Sequence, residues 1–144
     1  MSSFDDKLIK QLSRDEGRER SAYPDSKGFL TIGVGHLVDK RKNAGLHEEV
    51  IDLQLKLDIQ EKTREVLYAL PWASVLDEAR LGVLINMSFN LGTQGLLGFK
   101  KMLKAIQVKD WQKAALECAD PNYVKDVGAR AYRLARQLLT GEWQ

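Results

Sequence analysis

The stretch DEGRERSAYPDSKGFLTIGVGH, residues 15–36, is where the chain changes character. Before it, Ser3 to Glu16 reads as a helix. Phe4, Leu8, Ile9 and Leu12 share one face, Ser3 stands at a capping position with Asp6 three places on, and Gly17 supplies the stop. Within the stretch, Pro24, Gly28, Gly33 and Gly35 break helix. Asp25-Ser26-Lys27-Gly28 is turn chemistry, and Phe29-Leu30-Thr31-Ile32 favours a strand. A small antiparallel hairpin or three-stranded sheet is expected here, and no other part of the chain carries a convincing β signal.

From Leu46 onward the pattern turns helical. His47-Glu48-Glu49 opens a long segment to Leu70, with Val50, Leu53, Leu57, Val66 and Leu70 as apolar positions and Pro71 as its end. Asp77 can cap the next helix, which runs through Leu81, Leu84, Ile85 and Phe89 to Gly92. That helix is apolar nearly all round and is predicted to be buried. Gly98 to Ile106, Asp110 to Cys118 and Ala129 to Leu139 make further helices, and Trp72, Trp111 and Trp143 read as packing residues. The expected class is α+β, mainly helical.

At 144 residues the chain is most simply one domain, or two small lobes sharing a core, large enough to bury roughly two thirds of its unfolded surface without a metal or disulfide staple. Apolar residues make up 44% and charged residues 29%, and no apolar run approaches the roughly 20 residues that cross a bilayer. The start, MSSFDDKLIKQL, carries two aspartates where a signal peptide wants a basic start and an apolar core, so no export signal is read. Cys118 is the single cysteine, which fits a reducing compartment. The net charge of +2 does not by itself argue for nucleic acid. Arg130, Arg133 and Arg136 recur three apart and make a short basic strip, read as a solvated helix face or as an attraction to an anionic polymer.

Two acids stand out. Glu16 continues the apolar stripe of the first helix, so partial desolvation and the negative end of the helix dipole both disfavour its charged form, as a general acid requires. The competing reading pairs it with Arg18 or Arg20 in solvent. Asp25, nine positions later at the turn, accepts backbone N–H bonds that keep it ionised; such a residue is often only structural. One acid pushed towards neutral beside one held charged is the pattern of an acid–base pair, and two carboxyls flanking the bond are what glycoside hydrolysis needs. Thr31 has a hydroxyl that can hold a water beside Asp25, or is simply a strand former. His36 reads as structural, paired with an acid such as Asp58. Neither histidine sits in a metal-ligand cluster, and Gly33-Val34-Gly35 lacks the lysine of a phosphate loop. No metal or cofactor is expected.

DEG, YPD and TIGVGH together closely resemble the N-terminal signature of phage-type lysozymes, the muramidase endolysins of tailed bacteriophages (glycoside hydrolase family 24). Glutamate, aspartate and threonine fall at the family's spacings, nine and then six positions apart. INMSFNLG at 85–92 resembles the family's central helix, and Gly98-Phe99, Trp111 to Ala115, Arg130 to Arg133 and Thr140 to Trp143 extend the likeness along nearly the whole chain.

The resemblance implies a single lysozyme-like domain over 1–144. A small α/β lobe would occupy about 17–46, a connecting helix about 47–70, and a helical lobe 1–16 with about 71–144, leaving a cleft between lobes. It implies cleavage, with inversion, of the β-1,4 bond between N-acetylmuramic acid and N-acetylglucosamine. Glu16 would be the general acid, Asp25 would position or activate water, and Thr31 would help to hold it. His36 would form an ion pair with Asp58. Leu37 and Phe89 match positions that line the saccharide cleft, and Asn90 stands where an amide contacts sugar. Departures bear on substrate preference: LVDKRKNAGLHEEV is shorter than in the best-known members, and Met102 and Glu117 replace small or amide residues. The expected partner is bacterial peptidoglycan, with no nucleic acid and no stable membrane insertion. A monomer is expected in the host cytoplasm until a holin opens the membrane towards the periplasm and wall. Two alternatives keep the fold and change the function, a non-catalytic wall-binding protein and a lytic transglycosylase. A DNA binder using the arginine strip would betray itself by strong salt dependence.

Overall fold

A computed structural model of the chain describes residues 3–24, 27–34, 36–38 and 45–144. The chain divides into two compact units, Met1–Gln54 and Leu55–Gln144.

The first unit opens with α1 (Ser3–Glu16). Gly17 follows at φ 77°, a conformation that costs glycine little and stops the helix. Of the expected apolar stripe, Ile9 and Leu12 are exposed, and the side chains of Phe4 and Leu8 lie outside the described residues. The sheet comes next, with strands β1 (Glu19–Pro24), β2 (Leu30–Gly33) and β3 (His36–Leu37) in the order β1-β2-β3. Both pairings are antiparallel, with Tyr23 opposite Thr31 and Thr31 opposite Leu37, and a register irregularity lies between Glu19 and Tyr23. The three-stranded form of the expected sheet is therefore the one present.

Helix α2 (Glu48–Ala69) begins in the first unit and ends in the second. Glu48 and Glu49 in its first turn suit the positive end of the helix dipole. It ends one residue before the Leu70-Pro71 step, because a residue preceding proline is pushed out of helical geometry. Val66 and Leu70 are buried as expected, whereas Val50, Leu53 and Leu57 are exposed. A 3₁₀ turn (Pro71–Val75) then leads to α3 (Glu78–Leu97), capped by the Asp77 carboxylate accepting from the Arg80 N–H. Ala79, Val83, Leu84, Met87, Ser88 and Leu96 of α3 are buried, so the apolar helix is the centre of its unit. The first part of α3 ends at Gly92, as expected: φ 72° and ψ 163° are non-helical there, and a second helical part follows beyond the kink.

Four shorter helices close the unit: α4 (Lys100–Gln107), α5 (Trp111–Cys118), α6 (Pro121–Val127) and α7 (Ala129–Thr140). Asp110 caps α5 and Asp120 caps α6, where Pro121 takes a first-turn position that needs no N–H donor. Met102, Leu103, Ala105 and Ile106 pack with Cys118, Tyr123 and Leu138 into one core. Trp72 and Trp111 pack against it, as expected, while Trp143 is exposed. Among the described residues every buried apolar side chain belongs to the second unit. No described helix is long and apolar enough to cross a membrane.

Candidate active site

Glu16 is the last residue of α1, and Gly17 turns the chain directly into the approach to β1. The glutamate therefore stands where the unpaired carbonyls of the helix end gather, as its sequence position predicts. Its side chain and the whole of Asp25 lie outside the described residues. Thr31 occupies the central strand between Tyr23 and Leu37. It is only 3% exposed, and its hydroxyl donates to the Phe29 carbonyl at 3.1 Å. A hydroxyl has one proton to give, so Thr31 meets any further partner as an acceptor.

Leu37 lies on β3 beside His36, whose Nε2–H donates to the Gly45 carbonyl. The His36 ring is 6.2 Å from that of His47 and tilted by 50°. Its expected acidic partner, Asp58, is half-buried on α2 and belongs to the second unit.

Within the second unit, Phe89 and Asn90 sit on α3 just before the Gly92 kink. Phe89 is 38% exposed and lines a groove of ≈ 350 Å³ together with Ile59, Ile85, Asn86, Arg130 and Trp143. The polar end of this apolar groove is a clamp. Arg130 Nε and Nη2 donate to the Asn86 side-chain oxygen at 2.9 and 2.7 Å, and Nη2 also reaches the Asn86 backbone carbonyl at 3.1 Å. Arg130 is thus committed to α3, leaving Arg133 and Arg136 as the solvent-facing part of the strip. Trp143 seats on Gly82, where an added Cβ would come within 2.5 Å of the indole. Met102 and Glu117 line a separate depression of ≈ 540 Å³ with Lys100, Lys101 and Asp120, in which Met102 is buried.

A further cluster joins α2 to α3. Glu65 accepts from Lys62 at 3.0 Å and from Thr93 at 2.8 Å, and Thr93 meets the fully buried Ser88. The hydrogen bond from Thr93, and after it that from Lys62, lowers the Glu65 carboxyl from its ordinary value. Burial pushes the Cys118 thiol up to about 12, which removes it as a nucleophile. Neither the Asn86–Arg130 clamp nor the Glu65 cluster was legible beforehand. Their partners stand 44 and 28 residues apart, and no local pattern couples them.

Comparison with known proteins bears on these residues. The family model for phage lysozyme matches residues 13–137, a span that includes the glutamate, the aspartate and the threonine. A probable T4-type lysozyme of Dictyostelium discoideum is 31% identical, the alignment covering 90% of this chain and 92% of the relative. An endolysin of Salmonella phage P22 is 33% identical over 74% of this chain and 75% of its own length. The pre-baseplate central spike protein Gp5 of Enterobacteria phage T4 is 27% identical over 93% of this chain, which spans only 28% of that longer protein.

Proposed function

Because this chain belongs to the phage lysozyme family, we propose that it is a muramidase that hydrolyses the β-1,4 bond between N-acetylmuramic acid and N-acetylglucosamine in peptidoglycan. One observation carries the reading: the family match spans 13–137 and takes in Glu16, Asp25 and Thr31 together.

Glu16 gives its proton to the glycosidic oxygen as the bond to the anomeric carbon breaks. Asp25 takes a proton from water, and the resulting hydroxide equivalent adds to the opposite face of the sugar. The product is the inverted anomer, and solvent returns Glu16 to its acid form and Asp25 to its base form. Thr31, whose own proton is directed at Phe29, accepts the second hydrogen of that water and so aims its lone pair. Leu37, Phe89 and Asn90 contact the glycan strand, apolar surface against the sugar faces and the amide against a polar substituent. His36 and Asp58 form an ion pair that serves the structure and not the reaction. The likeness to the P22 endolysin supports a role in host lysis, by a monomer that reaches the periplasm and wall once a holin has opened the membrane.

The test is product analysis on purified peptidoglycan with the native protein and Glu16→Gln. New reducing-end muramic acid from the native protein alone supports the reading, and proton NMR of the first-formed anomer checks inversion. Anhydro ends would make it a transglycosylase. Binding without products, or full activity in a folded Glu16→Gln, would overturn it.

A further inference from the structure

The hydrogen-bond cluster between α2 and α3 has a direction. An ionised carboxylate can only accept, so the single hydroxyl proton of Thr93 goes to Glu65 Oε2, at 2.8 Å. Ser88, 3.3 Å from the Thr93 oxygen, must then be the donor to Thr93. The chain runs one way, from fully buried Ser88 through Thr93 to Glu65, with Lys62 donating at 3.0 Å to the same oxygen.

Its location gives it a use. Gly92, at φ 72° and ψ 163°, interrupts α3. Ser88 is the last buried residue before the break and Thr93 the first residue after it. The bond between them closes the interruption, and Glu65 ties the closure to a second helix. A helix end at a break leaves carbonyls without intrahelical partners and frays readily. Phe89 and Asn90, both exposed, lie between the two hydroxyls in the chain.

We propose that Glu65 is a positioning residue: through Thr93 and Ser88 it fixes the end of the first part of α3 and so holds Phe89 and Asn90 in the geometry that grips a glycan strand. The ligand, a β-1,4-linked amino-sugar strand, rests on the function proposed above; the positioning itself rests on the hydrogen bonds.

Wild type, Glu65→Gln, Glu65→Leu and Thr93→Val are compared in steady-state cleavage of soluble glycan strands, below the lowest melting midpoint. Amide proton–nitrogen spectra are recorded alongside. Glu65→Leu and Thr93→Val remove an acceptor and a donor, and are expected to raise KM about ten-fold with kcat within about two-fold, as misplacement of a binding group would. Glu65→Gln keeps an acceptor oxygen and is expected to restore most of the loss. The amides of Phe89 and Asn90 should shift in the first two variants and barely in the third. A lowered melting midpoint with KM and these amides unchanged would overturn the proposal, as would a Glu65→Gln loss equal to that of Glu65→Leu. If Glu65→Leu does not fold, Thr93→Val carries the test. If wild type cleaves nothing, the lysozyme reading fails and the amide shifts alone decide the positioning role.

Discussion

Replacing Arg80 with alanine is expected to cost the helical unit about 3 kcal/mol, the combined size of the interactions it would lose. The guanidinium ties α3 to the far end of α7. Nε donates to the Leu138 carbonyl at 2.7 Å and Nη2 to the Leu139 carbonyl at 3.2 Å. These are last-turn carbonyls without an intrahelical partner, and a cation suits that end of the dipole. A hydrogen bond from a charged donor contributes about 1.5–3 kcal/mol, and the lower figure applies because water can reach this helix end. The longer bond to Leu139 adds less. Arg80 also lies 3.9 Å from the Trp111 ring centroid, a cation–π contact of about 0.5–1 kcal/mol. The pair with Asp77, at 3.3 Å, adds only a few tenths because the aspartate side chain is 43% exposed.

At about 2–4 °C per kcal/mol for a chain of this size, the melting midpoint should fall by roughly 6–12 °C. Far-UV circular dichroism against temperature reads the shift, and urea unfolding at 25 °C reads the free energy. Arg80→Lys keeps the charge and stem but loses the two-pronged donor, so it should recover less than half. Asp77→Asn isolates the ion pair and should cost only a few tenths of a kcal/mol. An Arg80→Ala variant within about 0.5 kcal/mol of wild type would mean that water caps α7 as well as the guanidinium does, and the reasoning would fail.

Gly92→Ala forces a side chain into a φ 72°, ψ 163° geometry that is nearly glycine's alone, and should cost about 1–3 kcal/mol in chemical unfolding although nothing crowds a new Cβ. Cys118 should resist a water-soluble thiol reagent at pH 9 in the folded protein and react at once in denaturant. Its folded pKa of about 12 lies above the ordinary 9.0, so the stability it contributes is fully present below pH 9 and is lost as pH rises towards 12. A Cys118→Ser variant with an unchanged alkaline limb would contradict that assignment.

Much of the fold was written locally. Gly17 ends α1 where its type and position require, and Asp77 and Asp110 cap α3 and α5 as short polar residues before apolar runs do. Helix α6 escaped the sequence reading although Asp120-Pro121 is a good start signal, because seven residues give too short a period to stand out. Gly92 stops the first part of α3 as its type suggests, whereas the side-chain bonds that tie the two parts together, from Ser88 to Thr93 and from Thr93 to a glutamate on another element, leave no local pattern. The candidate site was legible as residue types at spacings. Arrangements such as the Asn86–Arg130 clamp or the Arg80 bridge join residues dozens of positions apart and are decided by packing alone.

The confinement of buried apolar side chains to the second unit, among the described residues, sets the order in which the molecule opens. Amides of a small sheet whose described apolar side chains are at most half-buried are released by local fluctuations of low free energy, whereas those of α3 wait for global unfolding. In a hydrogen-exchange experiment the strands around Thr31 should therefore take up deuterium long before the helix around Met87. If Thr31 serves the proposed reaction, activity should be lost to heat or denaturant while the helical signal stands almost untouched.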